Sequence, residues 1–220
     1  MKNIIIFGTQ QAGELADFYF THDTEHEVAA FVVDGEYKKE DAFNGKPLLA
    51  FEEVATAFPP SDYAAFVAIG YSGLNAVRTE KVAALRDRGY ELASYVSSKA
   101  TTFPGFEPGP NAFILEDNTI QPFARIGENV TLWSGNHIGH HSVIGDNVFM
   151  ASHIVVSGNC RIGARSFIGV NASFRDGVTI GERCIVGMGA CVVADCGDET
   201  VFPAPKTEAA KVPSSKIRKI

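Results

Sequence analysis

The rhythm of apolar positions changes once along the chain. Through residue 96, short β-rich runs alternate with helical patterns. "NIIIFG" ends in Gly8, "EVAAFVVD" in Asp34 and "YAAFVAIG" in Gly70, and "ELASYVS" is a fourth run of this kind. Between them, "QAGELADFYFTH" sets Leu15, Phe18 and Tyr19 at helical spacing, and "FEEVATAF" reads as a short helix. "SGLNAVRTEKVAALRDRG" carries Leu74, Val77, Val82 and Leu85 and closes on Gly89. Strand–helix alternation predicts a parallel sheet with helices on its faces, a Rossmann-like domain over residues 1–100. The strand carboxyl ends of such a sheet share one edge, and ligands bind there. "TTFPGFEPGP", residues 101–110, holds two glycines and three prolines and predicts a linker.

From Ile114 the period becomes six. Ile114, Ile120, Ile126, Leu132, Ile138, Ile144, Met150, Val156, Ile162, Ile168, Phe174, Ile180, Val186 and Val192 follow one another without an insertion. Two residues before these positions the side chain is mostly small, as at Ala112, Ser142, Cys160, Ser166, Ala172 and Cys184. A strand repeats every two residues and a helix every 3.6, so an unbroken six belongs to a β-helix of hexapeptides. Three hexapeptides close one triangular coil of 18 residues, which predicts a β-helix over 111–200 and leaves 201–220 as a tail. Successive coils stack like strands of a sheet, about 4.8 Å apart.

Charge and cysteine usage narrow the function classes. A formal net charge of -7 argues against a nucleic-acid-binding surface. No apolar run approaches the roughly 18–20 residues that span a membrane. The opening "MKNIIIFGTQQAG" passes from a short apolar run into a glycine turn, which fits a buried first strand better than a signal peptide, and so predicts a cytoplasmic protein. Cys160, Cys184, Cys191 and Cys196 lack paired CxxC spacing, so they read as small buried side chains and not as zinc ligands or disulfides.

The run "IGENVTLWSGNHIGHHSVIGDNV" resembles the left-handed β-helix acyltransferases. With "IIIFGTQQAGELAD", "FVVD" and "FVAIGYSGLNAVR" ahead of it, the chain is similar to the bacterial sugar acyltransferases related to sialic acid O-acetyltransferases and to acetyltransferases of amino-sugar pathways. That resemblance implies a homotrimer with acetyl-coenzyme A held between neighbouring β-helices. It also implies a nucleotide-linked sugar as acceptor and transfer of acetyl to its amine or hydroxyl, with no metal.

Such a transfer needs a base, and a histidine of near-neutral pKa suits it. The family motif lands on His140 in "IGHHSVIG". One coil later stands Gly158, which predicts open space beside His140 and a backbone N–H for the oxyanion. His141 is the alternative base, although relatives tend to carry an orienting acid there. His137 and His153 read as structural histidines. Asn136 and Asn118 stack as amides, structural or substrate-binding. Coenzyme A is expected along Gly158, Val170, Gly187 and Gly189. "GTQQAG" is a degenerate glycine loop, and Gly8, Gln10, Gln11, Asp34 and Gly70 are the expected nucleotide-sugar contacts. An NAD-linked enzyme is disfavoured because no second catalytic domain follows. Two other readings stand: a non-catalytic binding or scaffold trimer, and a hexapeptide acetyltransferase acting on a non-sugar hydroxyl.

Overall fold

The structure is a computed structural model and describes residues 2–217. Its first part runs β1 (Asn3–Phe7), α1 (Gln10–Asp23), β2 (Val28–Val33), β3 (Ala42–Phe43), β4 (Lys46–Ala50), α2 (Val54–Ala57), β5 (Tyr63–Val67), α3 (Ala76–Asp87) and β6 (Tyr95–Val96). The sheet order is β3-β4-β2-β1-β5, parallel except for β3. Alternate residues of β1 face opposite layers, as a period of two requires. Ile4 and Ile6 pack with Ala16 and Phe20 of α1, while Ile5 and Phe7 pack with Val54 of α2 and Val82 and Leu85 of α3.

The β3–β4 hairpin was not read from the sequence. Asn44 and Gly45 both have positive φ (48° and 75°), the Asn-Gly geometry of a tight hairpin. The fourth strand is displaced from its expected place. Tyr95–Val96 pairs with Phe113–Ile114 of the repeat and joins the second architecture, while just before it Leu92 bridges Ala65 of the first sheet. The predicted linker is also partly wound into that architecture: Thr101 bridges Thr119, and Gly109 N–H donates to Ile126 O. Backbone groups on the open end of a β-helix need partners, and residues 95–110 supply them as an incomplete first coil. At the far end Val201–Phe202 pairs with Ile185–Val186, so the coil outlasts residue 200.

The remaining strands form a left-handed parallel β-helix with three faces. The first face contains Thr131–Leu132, the second His137–Ile138 and the third Val143–Ile144, and each strand pairs with those 18 residues away. All fourteen six-period residues are buried, at most 5% exposed. From Asn111 to Gly189 each turn between faces carries one residue of positive φ: Asn111, Asp117, Phe123, Asn129, Gly135, His141, Asn147, His153, Asn159, Arg165, Asn171, Gly177, Arg183 and Gly189. Glycine, asparagine, aspartate and histidine tolerate that region best, which explains much of the row.

Candidate functional site

The five residues expected to meet a nucleotide line one cleft. Gly8, Gln10 and Gln11 follow β1, Asp34 follows β2 and Gly70 follows β5, around a space of about 710 Å³. Gly8 has φ 120°, and a side chain there would collide with the Ala68 carbonyl. Gly13 lets α1 close on the turn, since a Cβ would stand 2.6 Å from Gly8 O. Tyr37, Lys39, Val77 and Lys81 complete the walls and were not anticipated. Lys81 Nζ lies 2.9 Å from Asp34 Oδ1. Burial works against the Lys81 ammonium, yet the Asp34 and Glu80 carboxylates hold its pKa above the ordinary lysine value. Val77 and Lys81 stand one helical turn apart, so the helical pattern held a signal for Lys81 once the helix face was known. The same face reverses one expectation: Val77 is exposed, and Arg78 beside it is buried along with Val82 and Leu85.

Next to this cleft is a small chamber between the two halves. It is lined by Leu15, Phe66, Tyr71, Phe113, Trp133 and Arg78 among others, and shares Ala68, Ile69 and Gly70 with the cleft. Beyond it, Tyr71, Trp133, Phe149, Phe167, Val170 and Met188 line an apolar groove of about 480 Å³. Tyr71 packs on Phe149 and Phe167, ring centroids 4.6 and 4.9 Å away. A continuous track thus runs from the Gly8 turn to Val170. Arg78 holds the halves together at its floor. The guanidinium donates to Asn129 O at 2.8 Å and to Thr131 Oγ1, and Nε has no partner among the described residues. Burial pulls its pKa down to about 9, with no carboxylate against it among the described residues. An amide ladder backs it: Asn111 accepts from Val67 N–H at 2.7 Å and donates to Asn129, which donates to Asn147, both at 2.8 Å.

His140 and His141 sit on the turn from the second face to the third. His140 is exposed, its N–H donates to Gln121 Oε1 at 2.9 Å, and its Nδ1 is 3.2 Å from Nδ1 of His141. His141 takes the positive-φ position of the turn (59°), and its ring packs on Phe123, centroids 4.7 Å apart. The space over Gly158 is not open. A Cβ there would stand 2.7 Å from both Cε1 and Nε2 of His140 and 2.9 Å from Asp176 Oδ1, so the imidazole edge and a carboxylate fill the gap that glycine leaves. The Gly158 N–H makes no hydrogen bond among the described residues.

The remaining expected contacts divide. Val170, Gly187 and Gly189 lie on the turns from the first face to the second, a different edge of the prism from His140 and Gly158. Gly187 and Gly189 spend their N–H groups on Phe202 O (2.7 Å) and Val170 O (2.8 Å), so van der Waals contact is what they offer a ligand. Asn136 is corrected to a structural amide. It is 1% exposed, its Oδ1 accepts from Ile154 N–H at 2.8 Å and its Nδ2 donates to Trp133 O, so the amide is turned into the coil and away from solvent. Among the described residues His153 lacks the side-chain hydrogen bond expected of a satisfied structural histidine; its ring covers Gly135, with Nδ1 2.5 Å from where a Cβ would be. Cys160 and Cys184 are buried, but Cys191 is exposed and Cys196 partly so. Among the described residues no three side chains are grouped to hold a metal, and no helix is long and apolar enough to cross a membrane.

The bacterial transferase hexapeptide (six repeats) family matches residues 123–158 and 159–194. No curated protein matches the chain. Among solved structures, the acetyltransferase domain of PglB from Neisseria gonorrhoeae in complex with acetyl coenzyme A is 20% identical, covering 92% of this chain and 96% of that one, with a TM-score of 0.81. PerB from Caulobacter crescentus in complex with CoA and GDP-perosamine is 24% identical over 91% and 93%, with a TM-score of 0.80. WeeI from Acinetobacter baumannii is 23% identical over 93% and 97%, with a TM-score of 0.68. Residues 123–194 are therefore similar to the bacterial transferase hexapeptide repeat, and the whole chain takes the two-part fold of these proteins.

Proposed function

We propose that the protein is an acetyl-coenzyme A-dependent acetyltransferase acting on the amino or hydroxyl group of a nucleotide-linked sugar in bacterial glycan synthesis. The observation that carries this is the His140–Gly158 pair: a basic nitrogen beside a free backbone N–H. Nδ1 of His140 is 3.2 Å from Nδ1 of His141, and the tautomer in which His140 Nδ1–H donates there leaves Nε2 as the base. The acceptor attacks the thioester carbonyl as Nε2 removes its proton. Gly158 N–H steadies the oxyanion, the C–S bond breaks, and the imidazolium returns its proton to the coenzyme A thiolate. The PglB and PerB structures, with acetyl coenzyme A and with CoA and GDP-perosamine, support the pairing of donor and acceptor.

The active unit on this reading is a homotrimer, with a cytoplasmic supply of both substrates. His140 and the nucleotide cleft belong to different edges of one chain, because the first half packs on the face holding Thr131 and Phe149. A neighbouring copy must carry its His140 edge to this chain's cleft and groove. Incubation with acetyl-coenzyme A and a panel of UDP-, dTDP-, GDP- and CMP-linked amino and deoxy sugars tests the reading. Release of free coenzyme A thiol with one of them is expected. No transfer and no acetyl-coenzyme A binding would instead favour a scaffold, and transfer only to a non-sugar hydroxyl would replace the acceptor.

A further inference from the structure

Asp146, Asp176 and Asp198 occupy equivalent places, each two residues past a position paired in the β-helix: Ile144, Phe174 and Cys196. Two of them cap the coil before. Asp146 Oδ1 accepts from Glu128 N–H and Asp198 Oδ1 from Glu182 N–H, both at 2.8 Å. Asp176 bears the same relation to Gly158 but accepts no hydrogen bond from it. Its Oδ1 is instead 2.9 Å from the vacant Cβ position of Gly158, where His140 Nε2 arrives at 2.7 Å from the other side.

The other groups around the ring do not supply a counter-charge. His141 meets the ring at Nδ1, Phe123 lies beyond it, and Gln121 engages only the His140 backbone. The buried Cys160 thiol behind this turn has its pKa pushed up, first by burial and also by the Asp176 charge, so it stays neutral. Arg175, next to Asp176, is exposed and forms no ion pair among the described residues.

We infer that Asp176 is the positioning residue of His140: across the gap at Gly158 its carboxylate faces the imidazole edge and stabilises the imidazolium formed when Nε2 takes the acceptor's proton. This rests on the reading of His140 as base. It fills the role left open where His141 stands in place of an orienting acid. The reaction's atoms are unchanged; the carboxylate keeps its charge throughout.

The test is an NMR titration of the His140 Cε1 proton in the ligand-free full-length protein, with its signal assigned from H140A. Asp176→Asn is expected to lower the His140 midpoint by about one pH unit, the scale for losing an opposite charge at this range. The acidic limb of kcat should move down in step, kcat should fall about tenfold, and KM for acetyl-coenzyme A should stay within about twofold. Asp176→Glu should recover part of both shifts. Asp146→Asn, which removes only a backbone cap, should move neither. An unmoved His140 midpoint in D176N overturns the inference, with or without turnover. Full activity in H140A would sink the base assignment instead and leave the midpoint result standing.

Discussion

The cleft of the first half and the turns of the β-helix present function in opposite ways. At the sheet edge Gly8, Asp34 and Gly70 end three different strands, and only the topology brings them together. On the β-helix every turn is a copy of the last, so a residue is informative by how it departs from its row. His141 and His153 fill positive-φ positions where Asn111, Asn129, Asn147, Asn159 and Asn171 stand elsewhere. His140 is different because the next residue in its row is Gly158, whose missing side chain makes room for the ring. A repeat therefore supplies positions accurately while masking which of them are used; a single-copy sheet edge does the reverse.

His140→Ala should separate the departure from the repeat most sharply. Loss of a general base lowers kcat by about 10²–10⁴-fold, and the thermal midpoint should stay within a degree or two of the parent. Retained turnover at the parental rate would remove His140 from the mechanism. Ile138→Ala, two residues earlier and fully buried, should do the converse, costing about 3 kcal/mol in denaturant titration through lost burial and a cavity. Arg78→Ala tests the junction between the regions. Loss of its hydrogen bonds to Asn129 and Thr131 should cost about 3 kcal/mol and also weaken nucleotide-sugar binding, whereas a purely local effect would leave binding untouched.

Asp23 ties α1 to the first coil and gives a smaller, pH-dependent effect. Its carboxylate accepts from Ser98 and Tyr95, and from the Ser97 hydroxyl more weakly, which holds its pKa down to about 2. A carboxyl depressed in the folded state contributes stability above the ordinary carboxylate range, and that contribution is lost as pH falls from about 4 to about 2. Parent and Asp23→Asn should differ most above pH 4 and converge through that window; a gap independent of pH would exclude the carboxylate charge. Smallest of all is His153→Asn, which keeps a residue suited to φ 59° and should change stability by no more than about 0.5 kcal/mol, with kcat unaltered.

The fold was legible where a pattern repeats. Fourteen six-period residues fix the β-helix core, and strand–helix alternation fixes the first sheet. Boundaries were less legible because they depend on which backbone groups find partners in space. Tyr95–Val96 is β-rich like any strand of the first sheet, but its hydrogen bonds go to the repeat. Of the site, the cleft residues at strand ends followed from topology. Lys81 stayed hidden until the helix face was known, because an ion pair with Asp34 across 47 residues does not itself mark the local spacing. Asp176 was hidden for a related reason: it lies two coils from His140, and only the glycine between them leaves both side chains facing one gap.

The central claim, a site completed by two copies, is tested most directly by mixing subunits. H140A retains an intact cleft, and Asp34→Ala, which removes the partner of Lys81, retains an intact His140. Each should be nearly inactive alone as a homotrimer. After co-refolding in equal amounts, random assembly pairs an intact edge with an intact cleft at about a quarter of the sites, so about a quarter of parental activity should return. Mixtures no more active than the separate variants would contradict a site shared between copies.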